Sequence, residues 1–236
     1  MTPNSKLNEL SIVIPIFNEG KNIEKLWIKI KKNINLKKLE IIYVDDNSKD
    51  NSHEILKKIN SKDKRVKFFI RKSKIKDLSK SCIAGFKISK YKNILVMDGD
   101  LQHDPKYIAS FIRKFNSTSC DMVVGCRDFS SSKNIGLNYI RKIGSLFLIF
   151  LINFLLGKKT SDPMSGFFLF KKKIFFDAKE NFYERGYKIL ADIIYSNKEK
   201  IKIIDVKINF KKRIYGKSKI SFMILLYLII FIIRKL

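Results

Sequence analysis

The chain has 236 residues, enough for one substantial domain with a small appendage. Apolar residues make up 45% of it, which excludes a largely disordered protein. Its net charge of +27 is spread along the whole length without a nucleic-acid-binding motif, so it reads as solvated surface, and no nucleic-acid partner is expected.

Leu10–Ile16 is an apolar run of strand length, followed by Ile23, Leu26, Trp27, Ile30 and Ile34 at helical spacing. Leu39–Val44 reads as a second buried strand ending in Asp45-Asp46-Asn47-Ser48. Asp50 can then cap the helix that carries Ile55, Leu56 and Ile59. Val66–Ile70 gives a third strand, Leu78–Ile88 a third helix and Asn93–Met97 a fourth strand. Asp104-Pro105 reads as an N-cap with proline at the first helical position, opening a helix over Ile108–Phe115. Asp121–Gly125 is a fifth strand. Continuous apolar strands separated by helices predict an α/β fold with a mostly parallel sheet.

The three cysteines, Cys82, Cys120 and Cys126, are odd in number and lack metal-ligand spacing. They are expected to be reduced and half-buried, in a cytosolic setting. The first ten residues hold no apolar core, so no cleavable signal is expected. His103 is read as a surface histidine.

In parallel α/β sheets, ligands bind outside the carboxyl ends of the strands. Acidic clusters fall there: Asn18-Glu19 after the first strand, Asp45-Asp46 after the second, Asp98-Gly99-Asp100 after the fourth. Taken alone, Asp-Gly-Asp fits an ordinary turn better than a metal site. The chemical case for metal is that Mg²⁺ is usually held by one or two carboxylates plus substrate phosphates. Acids concentrated at successive strand ends, in so basic a chain, favour a binding site over solvation.

Two apolar runs follow, Ile143–Leu156 and Ile220–Ile233. As helices each would span roughly 21 Å, short of the roughly 30 Å hydrocarbon core of a bilayer. Arg141, Lys142, Lys158 and Lys159 flank the first; Lys217, Lys219, Arg234 and Lys235 flank the second. Such helices suit a membrane boundary, where cationic ends reach the headgroups. The competing readings are a core helix for the first and a dimer interface for the second.

Six segments carry a resemblance: Ile14-Pro-Ile-Phe-Asn-Glu19, Val44-Asp-Asp-Asn-Ser48, Met97-Asp-Gly-Asp-Leu-Gln-His-Asp-Pro105, Gly125-Cys-Arg127, Asp162-Pro-Met-Ser-Gly-Phe167 and Arg213-Ile-Tyr-Gly-Lys-Ser-Lys219. In this order and spacing the chain resembles the family 2 glycosyltransferases, within them the dolichyl-phosphate mannose synthase-like group. The resemblance implies a GT-A-type fold over 1–219 and a membrane-associating segment over 220–236. It implies metal-dependent, inverting transfer of a hexose, mannose or glucose, from a GDP- or UDP-sugar to a polyprenyl phosphate at the cytoplasmic membrane face.

Position by position, the resemblance implies that Pro15, Phe17, Glu19 and Asp46 line the nucleotide pocket. Asp98, Asp100 and Gln102 would bind Mg²⁺ or Mn²⁺. Arg127, Arg141 and Ser145 would hold the acceptor phosphate, with Arg213 and Lys219 closing over the diphosphate. Arg141 and Ser145, four apart, would share a helix face. Where many relatives carry a Gly-rich stretch, this chain has Lys76-Asp77-Leu-Ser-Lys-Ser81, with Asp77 expected to cap the third helix. Asp162 with Ser165-Gly166 fits either donor-sugar positioning or a tight turn before a strand at Phe167–Phe170. The rival readings are a different glycan or lipid acceptor, and a non-catalytic membrane-surface or nucleic-acid-binding protein that retains the fold.

Overall fold

The computed structural model describes residues 6–129, 139–186, 188–197, 200–213, 215 and 222–235, with only the backbone course of 139–141, 222–226 and 228. The elements run β1 (Glu9–Ile16), α1 (Gly20–Asn33), β2 (Lys38–Asp45), α2 (Ser52–Lys62), β3 (Val66–Ile70), α3 (Leu78–Ile88) and β4 (Asn93–Val96). A 3₁₀ turn at Pro105–Tyr107 leads into α4 (Ile108–Thr118), then β5 (Met122–Arg127), α5 (Tyr139–Leu156), β6 (Phe168–Lys171) and α6 (Lys172–Ala178). The chain continues through α7 (Ile189–Ser196), β7 (Ile203–Ile208) and α8 (Phe222–Lys235).

Among the described residues the sheet has seven strands in the order β3-β2-β1-β4-β6-β5-β7. β6 runs antiparallel between β4 and β5; the other pairings are parallel. The mostly parallel sheet expected from the apolar runs is therefore present. The reversal at β6 left no trace in the pattern, because a buried strand is apolar whichever way it runs. β5 extends two residues past the expected Gly125, so Arg127 closes a strand, paired with Ile208 of β7.

Side chains alternate between the sheet faces, and both faces are covered. Ile12, Ile14 and Ile16 pack with Ile23, Leu26 and Ile30 of α1, Leu56 and Ile59 of α2, and Phe111 of α4. Val13, Ile42 and Val44 pack on the other face with Cys82 and Phe86 of α3, Phe175 of α6 and Ile193 of α7. Gly85 lets α3 approach, since a Cβ there would stand 2.4 Å from a Val13 methyl. The cysteines are free and fully buried, where half-burial was expected; each lies in or against the apolar layers.

Each apolar helix packs one side inward, as the core-helix reading of the first expects. Ile152 of α5 and Phe231 and Ile232 of α8 pack together with Ala191 of α7. The opposite side of α5 leaves Ile143, Phe147, Phe150 and Phe154 exposed, Phe154 to 73%. Ile229 and Ile233 of α8 are exposed as well. Among the described residues no helix is long and apolar enough to cross a membrane.

Candidate active site

Three loops leave the carboxyl ends of β1, β2 and β4 side by side, and each contains a non-glycine residue at positive φ: Asn18 (53°), Asn47 (60°) and Leu101 (65°). Asparagine tolerates this region, whereas for a branched leucine it costs about 1 kcal/mol or more. Leu101 is held there because its side chain is buried in the core.

Asp50 ties the first two loops together. Its carboxylate accepts from the Gly20 N–H at the start of α1 (2.9 Å) and from Ser52 at the start of α2. Burial opposes its charge, yet these bonds hold its carboxyl below the usual range. The N-cap of α2 is Asn51 and not the expected Asp50, which stands one residue earlier and instead joins the first N–H groups of α1 and α2. Asp45 accepts from Ser48 and contacts the His53 ring, while the Ser48 hydroxyl accepts from the Asn18 N–H at 2.7 Å.

In the nucleotide-pocket set, Pro15 lies in β1 opposite Val44. The Lys76 ammonium stands over the Phe17 ring at 5.4 Å. Glu19 is buried and accepts from the Asn22 side chain at 2.6 Å. Asp46 pairs with Arg71 at 2.6 Å and accepts the Asp77 N–H at 2.7 Å. Burial pushes its carboxyl up, against the pull of Asp77 and Arg71.

Asp98-Gly99-Asp100 is both a tight turn and a carboxylate pair. A Cβ on Gly99 would come within 2.6 Å of Ile16, so only glycine lets the loop close against β1. Asp98 retains 31% side-chain exposure and lies against Gly166, where a Cβ would stand 2.9 Å from both carboxyl oxygens. Enclosure by the cleft walls, then the charges of Asp100 and Glu19, raise its carboxyl well above the ordinary range, against Arg213 and Arg127.

Asp100 is buried; it accepts from the Gln102 N–H (3.0 Å) and pairs with Arg213 (2.5 Å). The segment after β7 straps this loop down. Gln102 Nε2 donates to the Lys211 carbonyl (2.9 Å), and the Lys211 N–H donates to the Gln102 carbonyl (3.0 Å). Lys211 also pairs with Asp104, whose carboxylate caps the 3₁₀ turn.

His103 is buried, contrary to the surface position expected of it. Phe167 stacks on its ring at 5.2 Å and Phe210 meets it edge-on at 5.3 Å; both arrive from distant segments. Burial lowers its pKa to about 4, and Nδ1 accepts the Asp98 N–H at 3.2 Å. A neutral ring, protonated at Nε2, fits both facts.

Arg127 is locked rather than loose. Its guanidinium forks onto Asp162 at 2.7 and 2.8 Å, and its own N–H adds a third contact at 3.3 Å. The Asp162 carbonyl accepts from the Ser165 N–H, and Ser165 Oγ donates to the Gly125 carbonyl. The Asp162–Gly166 turn is therefore real, and it also presses Gly166 against Asp98.

Lys188 was not anticipated. It stands at the N-terminus of α7 in the field of Arg127, Asp162 and Asp98. Burial and Arg127 lower its ammonium to about 8, and the two carboxylates oppose them. One lysine among so many gives no signal in the sequence. Ser145 is placed on α5, half-buried, whereas the Arg141 side chain and Lys219 lie outside the described residues. Among the described residues no group of three or more His, Cys, Asp or Glu could hold a metal, so the acidic set is the Asp98–Asp100 pair.

The family model for glycosyl transferase family 2 matches residues 11–177. A dolichol-phosphate mannosyltransferase of Pyrococcus furiosus is 34% identical over 90% of this chain, which spans 59% of that protein's length. A dolichol-phosphate mannosyltransferase of Mycosarcoma maydis is 31% identical over 89% of this chain and 73% of its own. Among solved structures, glucosyl-3-phosphoglycerate synthase from Mycobacterium tuberculosis, in complex with Mn²⁺, UDP-glucose and phosphoglyceric acid, superposes with TM-score 0.66. That match has 14% identity and covers 89% of this chain and 73% of that one, a likeness of fold alone. With acidic strand ends on a sheet of this order, and a family match over residues 11–177, the chain belongs to glycosyl transferase family 2.

Proposed function

We propose that this chain transfers a hexose, mannose or glucose, from a GDP- or UDP-sugar to a polyprenyl phosphate, with inversion at the anomeric carbon. The names of the two curated relatives support this acceptor class. The observation that carries the reading is the Asp98–Asp100 pair, two neighbouring carboxylates of which Asp98 is raised by enclosure and then by the charge of Asp100, ringed by Arg213, Arg127 and Lys188. Crowded acids suit a cation, and the surrounding cations suit phosphates.

The donor set fits a hard divalent ion, since two carboxylates leave the remaining positions to diphosphate oxygens. Asp98 and Asp100, with the Gln102 amide oxygen, would hold Mg²⁺ or Mn²⁺, which would supply positive charge against the departing diphosphate. The Mn²⁺ in the Mycobacterium tuberculosis complex supports a divalent ion. Asp46 and Glu19 would orient the nucleoside, and Phe17 would offer a face to the base. Arg213 and Lys219 would offset charge on the diphosphate. Arg127, Arg141 and Ser145 would hold the acceptor phosphate, whose oxygen is already anionic and needs no general base. His103 is consistent with that: its Nδ1 is occupied by the Asp98 N–H, and the burial that lowers its pKa to about 4 makes the ring a weak base.

The exposed Phe147, Phe150 and Phe154 of α5, with Ile229 and Ile233 of α8, would lie in the boundary of the cytoplasmic membrane face. This keeps 220–236 as a membrane-associating segment beside a 1–219 transferase domain. Isothermal calorimetry with GDP and UDP, with and without Mg²⁺ or Mn²⁺, tests the donor half. Binding that requires the cation and disappears in Asp98→Asn/Asp100→Asn supports the reading. Cation-independent binding or none returns the chain to a protein that keeps only the fold.

A further inference from the structure

The Asp77 carboxylate makes two contacts that tie the start of α3 to a distant segment. One oxygen accepts from the Lys80 N–H at 3.1 Å, capping α3 as expected. The other accepts from the Gly186 N–H at 2.8 Å, 109 residues away. The Ser79 N–H donates to the Gly186 carbonyl at 3.0 Å, so the two segments are clasped at both polar groups of one residue. Gly186 has φ +87°, a conformation other residues rarely adopt, and it faces Tyr227 of α8. Two residues further on comes Lys188, in the field of Asp98, Asp162 and Arg127. On its other side, the Asp77 N–H holds the Asp46 carboxylate at 2.7 Å.

We propose that Asp77 is a positioning residue for the donor: through Asp46 on one side and through Gly186 and Lys188 on the other, it fixes the nucleoside subsite relative to the diphosphate subsite. This rests on the nucleotide-sugar reading above. Both anchors are needed because a donor spans both subsites, and Lys188, in the field of Asp98, would then stand out of register with the phosphates. A buried backbone N–H deprived of a charged partner is costly, so the segment would move when the carboxylate is removed.

Asp77→Ser separates positioning from capping, because serine caps helices well but is one atom shorter and misses Gly186. The inference expects faster hydrogen exchange at the Gly186 amide in this variant. It expects a nucleoside diphosphate Kd raised about ten-fold, the effect of one lost charge-assisted bond, with little change in Tm. It also expects Lys188→Ala to cost less in kcat/KM in the Asp77→Ser background than in the wild type. Unchanged Gly186 exchange overturns the clasp. Faster exchange with wild-type affinity and additive Lys188→Ala effects leaves a helix cap alone and overturns the positioning role. If the wild type binds no nucleoside diphosphate, the functional reading falls and this inference with it, and the exchange data still report whether the clasp exists.

Discussion

Arg213 and Asp100 lie 113 residues apart in the chain and are joined side chain to side chain at 2.5 Å. The acid that would carry the cation and the arginine that would cover the diphosphate thus meet across the strap from β7. Asp100→Ala removes both the carboxylate and the anchor of that strap. Transfer should fall by about 10²–10³-fold or more at saturating metal. Substantial residual turnover would remove Asp100 from the metal assignment.

Arg127 and Asp162 form a buried fork whose loss leaves a charge without its partner. Asp162→Ala should destabilise the fold by about 3 kcal/mol, read from urea unfolding. Arg127→Ala should chiefly raise the KM for the lipid acceptor. An equal fall in donor hydrolysis and lipid transfer would refute that role.

Asp63 provides a pH test away from the site. Its bond to Arg65 lowers its carboxyl to about 2, against burial and with help from the Trp27 indole at 3.2 Å. A carboxyl depressed in the folded state stabilises fully above its unfolded value of about 4, and that contribution fades as pH falls toward 2. Because Arg65 is 46% exposed, screening reduces the contribution to about 1 kcal/mol. Asp63→Asn should therefore lower Tm at pH 7, with the difference shrinking by pH 2.5. Trp27, the single tryptophan, reports the unfolding by fluorescence. A pH-independent difference would contradict this account.

Phe147 and Phe150 project from α5 without packing into the core. Replacing both with Asp should weaken sedimentation with anionic vesicles by about ten-fold or more, while cation-dependent nucleotide binding stays unchanged. Retained vesicle binding would assign the exposed stripe elsewhere.

The strand-end acids were legible because continuous apolar runs break into polar loops where ligands bind, and that depends only on local pattern. Asp77 was legible as a cap for the same reason, whereas Asp50 stands one residue before Asn51, the N-cap of α2. Their second partners, Gly20 and Gly186, were hidden, because a cap motif says nothing about what the other carboxyl oxygen faces. His103 was misplaced for a related reason: Phe167 and Phe210 bury it from distant segments. Lys188 lies two residues beyond the 77–186 clasp and had no motif of its own. The strand at Phe167–Phe170 was read but not its antiparallel direction, which apolar pattern does not carry, and the edge strand β7 escaped because it is only partly buried.

The most direct test of the account is transfer itself. The protein is incubated in vesicles containing polyprenyl phosphate, with Mg²⁺ or Mn²⁺ and a panel of labelled GDP- and UDP-hexoses, and label in extracted lipid is scored. One hexose should enter the lipid fraction in a phosphate-dependent way, and Asp100→Ala should abolish the signal. Label that enters no lipid with any donor, or enters equally in Asp100→Ala, would contradict it.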